Sequence, residues 1–276
     1  MIRSEHLSLS TWSLHRLLGP LRWTIWDDAS RTPAIREEFQ PAEMELLELP
    51  AVLAQRGFRF LEVCHFHFPA TEEAYVKKLK AAFEASGVIF HTLLVDYGDI
   101  SSPDEGRREA DIRYLQGWID VAAQAGARAV RIVAGEQPAG DAAAIARSCE
   151  ALRSLDAYAS AQGVRIVTEN FRSLTSTISS WSAVLVGFGQ KQATIVDFGN
   201  LTEEEKEAGI AFGAPQAHSI HAKPDYLADG SIDTESFGRL LDIVKSSGCE
   251  APVSIIFDRP GNMWEGIEAI RAVMVR

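Results

Sequence analysis

Apolar residues fall into eight short β-branched runs, at residues 7–14, 58–66, 88–95, 129–134, 164–168, 193–197, 217–221 and 253–257. Between them, apolar positions recur at helical spacing, in segments such as 72–86, 105–125, 141–161, 234–246 and 264–273. Regular alternation of strand and helix demands parallel strands joined by crossover helices. Gly57, Gly87, Gly126, Gly163 and Gly248 each follow a helical segment and shortly precede a strand, the place of a helix C-cap. An open, doubly wound sheet would bring a glycine-rich phosphate loop after its first strand, whereas this chain reads Leu14-His15-Arg16-Leu17-Leu18-Gly19-Pro20. The pattern therefore predicts a closed (β/α)8 TIM barrel, an α/β fold in which residues 1–276 form a single domain.

One stretch breaks the rhythm. Residues 16–41 are aromatic and poorly periodic, with Trp23, Trp26 and Phe39, and are expected to cover the barrel mouth as a lid or wall, a plain surface excursion being the alternative.

Composition narrows the partners. Hydrophobic residues make up 46% and charged residues 24%, enough apolar material for one large core. The 38 acidic and 27 basic side chains leave a net charge of −11, a sign that repels nucleic-acid backbones and anionic lipid. No apolar run approaches the roughly 20 residues that span a bilayer, and the first residues lack the pattern of a secretory leader, so a cytoplasmic protein is expected. Cys64, Cys149 and Cys249 are odd in number and widely spaced, which argues against a disulfide framework or zinc knuckle.

The chemistry gathers at strand ends, where barrels of this type carry their sites. Three apolar runs finish on a metal-type ligand, in Val-Thr-Glu169-Asn170, Ile-Val-Asp197-Phe-Gly-Asn200 and His218-Ser-Ile-His221-Ala-Lys223. Two carboxylates and an imidazole suit a hard divalent cation. Any one of them alone reads as an ordinary strand-end polar group, Glu169 paired with Arg172 or Lys223 for example. His218, three residues before His221, is expected on the opposite side of the strand as a core histidine. Lys223 shares the side of His221 and can take a substrate oxyanion or pair with Asp225. In Leu61-Glu-Val-Cys-His-Phe-His, Glu62 is expected to face inward to order the barrel centre or a substrate hydroxyl, with His65 turned away. His67, Arg172, Glu136 and Arg259 lie just past strands and are candidates for substrate contact, a solvated loop position being the alternative for His67. The run Glu203-Glu204-Glu205 reads as the first turn of a helix capped by Thr202.

In order and placement these segments resemble the xylose isomerase-like TIM-barrel superfamily, in its sugar phosphate isomerase and epimerase branch. The likeness includes Ser8-Leu-Ser-Thr-Trp-Ser13, Asp229-Gly-Ser-Ile-Asp233 and Val253-Ser-Ile, and runs over essentially the whole chain. It implies a metal ion such as Mn²⁺ or Mg²⁺ held by Glu169, Asp197 and His221, with Glu169 also the catalytic base. It further implies an enediolate intermediate and a sugar, keto-sugar or hydroxy-keto acid substrate. Superfamily members that repair DNA carry a histidine three residues after the sixth-strand Asp, where this chain has Asn200. The family's fourth ligand, a Glu on strand eight that forms the second half of an acid/base pair, is here Ile256, in Ser254-Ile-Ile-Phe-Asp258. Asp258, on the same side of that strand about 7 Å further on, is the candidate substitute. With that ligand lost, weak metal retention is expected, and a degenerate barrel that binds carbohydrate or regulates without turnover is the alternative function. Self-association is left open.

Overall fold

The computed structural model describes residues 2–275, and its strand order closes a ring. The barrel strands are β1 (Leu7–Ser10), β4 (Phe60–Cys64), β5 (Ile89–Val95), β6 (Ala129–Ile132), β7 (Arg165–Glu169), β8 (Thr194–Asp197), β9 (Ala217–Ala222) and β10 (Val253–Ile255). All pair in parallel, and β1 closes the ring against both β10 and β4. Around them lie α1 (Leu49–Gln55), α2 (Glu73–Ser86), α3 (Glu105–Ala125), α4 (Ala142–Ser160), α5 (Ile178–Phe188), α6 (Lys206–Gly213), α7 (Thr234–Ser246) and α8 (Met263–Met274). The strands end sooner than their apolar runs suggest, because several runs continue into 3₁₀ turns such as Thr11–Leu14 and His65–His67.

Local chemistry explains the element ends. Asp104, Asp141, Thr177, Asp233 and Asn262 each accept backbone N–H groups at the start of a helix. Gly87 and Gly126 end α2 and α3 in the left-handed region, at φ 72° and 79°. The acidic run at 203–205 forms a turn ahead of α6 rather than its first turn, and helix proper begins at Lys206, which binds Glu203 and Asp225.

The poorly periodic stretch is a β-hairpin, β2 (Leu21–Asp27) and β3 (Thr32–Glu38), inserted between β1 and α1. Leu21 packs with Cys64, Phe66 and Leu94, and Thr24 bonds to His65 and Tyr114, so the hairpin leans on the barrel mouth. Its outer face leaves Ile35 and Phe39 exposed. Among the described residues no helix is long and apolar enough to cross a membrane.

Strand alternation separates two environments. Leu7, Leu9, Val130, Ile132, Val196, Ile220 and Ile255 face the helices and build the main core. The intervening Ser8, Glu62, Arg131, His221 and Ser254 face inward and are buried. Two irregularities bring a further pair inside. The register of β4 with β5 skips His91, and that of β8 with β9 skips His218. These bulges turn both imidazoles into the barrel, where they stack with centroids 4.1 Å apart and planes within 3°. His218 therefore does not alternate away from His221 as expected, since the extra residue resets the pleat.

Candidate metal and substrate site

Register alone puts Asp197 and Ser254 level with His221 on the neighbouring strands. Glu169 ends β7 beside them, and ligand atoms of Glu169, Asp197 and His221 lie within 4.8 Å of one another. His221 Nδ1 is 3.4 Å from Asp197 Oδ2 and 3.7 Å from Glu169 Oε1. The other ring nitrogen, Nε2, lies 2.7 Å from Glu62 Oε2.

The hydrogen bonds below His221 fix which ring nitrogen faces the carboxylate cluster. Glu62 is fully buried and accepts from Thr92 Oγ1 at 3.0 Å and Ser254 Oγ at 2.7 Å. A carboxylate that already accepts these hydroxyls takes the Nε2 proton of His221 as a third, leaving Nδ1 to face the two carboxylates. Burial works to raise Glu62, but the charge and hydrogen bond of His221, with Ser254, hold it well below the usual carboxylate range. Burial likewise works to lower His221, and Glu62 and Asp197 outweigh it, so its pKa stands well above the ordinary value. Carboxylate, imidazole and metal form a recurring triad of this geometry.

Glu169 is held from both sides. Asn200 Nδ2 donates to its Oε1 at 3.2 Å, and the guanidinium of Arg131 lies 3.0 Å from its Oε2. Arg131 is itself buried, bonded to Asp96 and to the carbonyl of Val95. Burial pushes Glu169 up to about 7, against the pull of Arg131 and His221. Asn170 brackets Asp197 by exchanging hydrogen bonds of 2.9 and 2.8 Å with its backbone.

These groups line a cavity of about 320 Å³ at the strand C-termini. Trp12 and Trp23 form an aromatic wall, with Trp23 against Phe66 at 4.3 Å. Trp26, expected in the same wall, lies instead under Arg107.

Several candidates land elsewhere. Glu62 lies below His221, outside the cavity lining, with its Oε2 on His221 Nε2. His67 is neither solvated nor at the cavity: it is 1% exposed, its Nδ1 on Thr11 Oγ1 at 2.8 Å. Asp258 lines the cavity but is paired with Lys223 Nζ at 2.5 Å and stands outside the ligand cluster. Lys223 accordingly pairs with Asp258 and not Asp225, and Glu169 with Arg131 rather than Arg172 or Lys223. Glu136 is exposed outside the cavity lining, and Arg259 lies over Tyr226. Arg172 lines the cavity, over Phe171, in the left-handed region at φ 69°. Ile256 is 5% exposed and lines the same cavity as Glu169.

Sequence reasoning missed Arg131 and Asp96. The signal for Arg131 was a lone charge inside an apolar strand, alternating with Val130 and Ile132.

The family model for the xylose isomerase-like TIM barrel matches residues 50–273. No curated protein sequence matches the chain. Among solved structures, an L-ribulose 3-epimerase is 17% identical, with TM-score 0.71 over 98% of this chain and 93% of that one. The 3-keto-D-glucoside 4-epimerase of E. coli is 16% identical, with TM-score 0.65 over 84% and 94%. A probable 3-DHS dehydratase of Bacillus anthracis is 14% identical, with TM-score 0.65 over 98% and 97%. At such identities the likeness is one of fold.

Proposed function

Because the chain belongs to the xylose isomerase-like TIM barrel family, we propose that it is a divalent-metal-dependent isomerase, epimerase or dehydratase. Its substrate would be a small sugar, keto-sugar or hydroxy-keto acid, processed through an enediolate. The observation that carries this reading is the meeting of Glu169, Asp197 and His221 at one point. Their donor set suits Mn²⁺ or Mg²⁺, and the Glu62 contact leaves His221 Nδ1 facing the place where an ion would sit. The epimerases among the structural neighbours agree with a small-sugar substrate, and the dehydratase agrees with the dehydratase variant of this reading.

A bound ion supplies a Lewis acid that polarises a carbonyl or hydroxyl oxygen. The chain's own groups do the rest. Glu169 takes the proton from the carbon next to the carbonyl. Asn200 and Arg131 keep its two oxygens in place. Trp12 and Trp23 present flat faces to the C–H side of a sugar, while Arg172 and Lys223 at the mouth meet its oxygens.

Two measurements test this reading. Elemental analysis of protein purified without chelator should find a divalent metal, or Mn²⁺ should bind on addition. A panel of keto-sugars and hydroxy acids should show metal-dependent proton exchange with solvent. A second reading, a barrel that binds carbohydrate without turnover, is favoured by Ile256, which can neither ligate nor move a proton. Sugar binding with no metal uptake and no exchange on any panel member would select it.

A further inference from the structure

Each member of the ligand cluster has one polar atom drawn away and another left facing the cluster. His221 Nε2 is on Glu62, which leaves Nδ1. Asp197 Oδ1 accepts the N–H of Gly199 at 2.6 Å, and Oδ2 is the oxygen 3.4 Å from Nδ1. Glu169 Oε2 has the guanidinium of Arg131 3.0 Å away, while Oε1 lies on the His221 side. Oε1 accepts from Asn200 and keeps a second lone pair.

The Arg131 contact is one of charge, since neither Arg131 Nε nor Glu169 Oε2 has a directed hydrogen-bond partner. A divalent ion on Oε2 would stand against a guanidinium that is 4% exposed, and two cations repel strongly in so dry a place. Arg131 has nowhere else to go. Asp96 and the carbonyl of Val95 hold it, and it lies over Phe171 with 5.1 Å to the ring centroid. The backbone N–H of Asp96 is in turn fixed on His65 Nδ1 at 3.2 Å.

Resting on the metal-dependent reading above, we infer that Arg131 is a specificity-determining residue that confines Glu169 to Oε1 and so makes the site reject Ca²⁺ in favour of smaller ions. Calcium takes about six to eight oxygens and often both oxygens of a carboxylate, whereas Mn²⁺ or Mg²⁺ is content with an octahedron completed by water or substrate. Here a larger shell has no source. The cavity's other carboxylates are committed, Asp96 to Arg131 and Asp258 to Lys223, and Ile256 offers no ligand.

The test uses the full chain stripped of metal and titrated with Mn²⁺, Mg²⁺ and Ca²⁺ by calorimetry, with water-proton relaxation counting the waters on bound Mn²⁺. Ca²⁺ should bind at least about tenfold more weakly than Mn²⁺, and bound Mn²⁺ should carry about three waters. Arg131→Met combined with Asp96→Asn removes both charges of the supporting pair together and frees Oε2. In that protein, checked for folding by circular dichroism, the count should fall to about two and the Ca²⁺-to-Mn²⁺ affinity ratio should rise about tenfold. An unchanged ratio and count in the folded double variant, or Ca²⁺ binding the parent as tightly as Mn²⁺, overturns the role of Arg131 alone. If the double variant does not fold, the parent's own water count decides, because about two waters there would mean that Oε2 already ligates. Binding of none of the three ions overturns the metal-dependent reading, and this inference with it.

Discussion

Glu62 illustrates how a residue outside the cavity can govern it. It is a fully buried carboxylate whose partners are all donors, and one of them is the ring that would bind metal. Glu62→Gln keeps the size but replaces an acceptor oxygen with an amide donor, so the Nε2 proton of His221 loses its charged acceptor. Mn²⁺ affinity by calorimetry should fall about 10- to 100-fold, the usual cost of losing such a supporting partner. Equal affinity would show that His221 is not oriented through Glu62. Sequence alone marked Glu62 as inward and polar, but could not tell that it lies beneath the ligand, because strand alternation gives a side and not a depth.

At the scale of elements, the hairpin and one helix pair stand out. Trp23 on β2 closes the aromatic wall and rests on Phe66. Trp23→Ala should weaken binding of a sugar ligand by up to about tenfold, the range of one lost aromatic contact. A titration showing unchanged affinity would remove the hairpin from the site. The turn of this hairpin lacks Asn-Gly or Asp-Gly, and Asp27 stabilises it by accepting from Ala29 and Ser30, which is why it escaped notice in the sequence. Where α5 meets α4, a Cβ on Gly187 would stand 2.4 Å from Cys149 Sγ. Gly187→Ala should therefore lower stability in urea by about 1 to 3 kcal/mol despite the better helix propensity of alanine. Adding Cys149→Ala should restore most of the loss, and failure to do so would deny the close approach.

The molecule as a whole should be acid-sensitive. His65, His67, His91 and His218 are buried, and burial lowers the pKa of each, His65 to about 4 and His67 to about 3. Above about pH 6.5 these imidazoles are neutral whether folded or not. As pH falls through that unfolded value toward the folded ones, the unfolded chain binds protons that the fold refuses. Each such histidine then costs about 1.4 kcal/mol per pH unit. His221 has the opposite sign, its contribution being present below pH 6.5 and lost as pH rises through its raised folded value. Between about pH 6.5 and 4.5 the contribution of His221 is constant and Glu169, raised to about 7, takes up a proton in the fold first and opposes the histidines, so four groups oppose one and chemical denaturation should show stability dropping by several kcal/mol. A flat profile across that window would mean the buried imidazoles are hydrated or already charged.

The alternation of β-branched runs with helical segments determined parallel strands with crossover helices, and the lack of a glycine-rich phosphate loop after the first strand pointed to the closed barrel rather than an open sheet. The ends of those runs determined the Glu169, Asp197 and His221 set, since side-chain period and strand end both follow from local backbone geometry. Tertiary structure decided what no local rule reaches. Arg131 meets Glu169 from a neighbouring strand, and Lys223 chooses Asp258 over Asp225. The bulges at His91 and His218 reverse the side that alternation assigns to His218, a two-strand register property invisible in either strand alone. Charge pairing, depth and register depend on which strands close the ring, and chain spacing carries none of that.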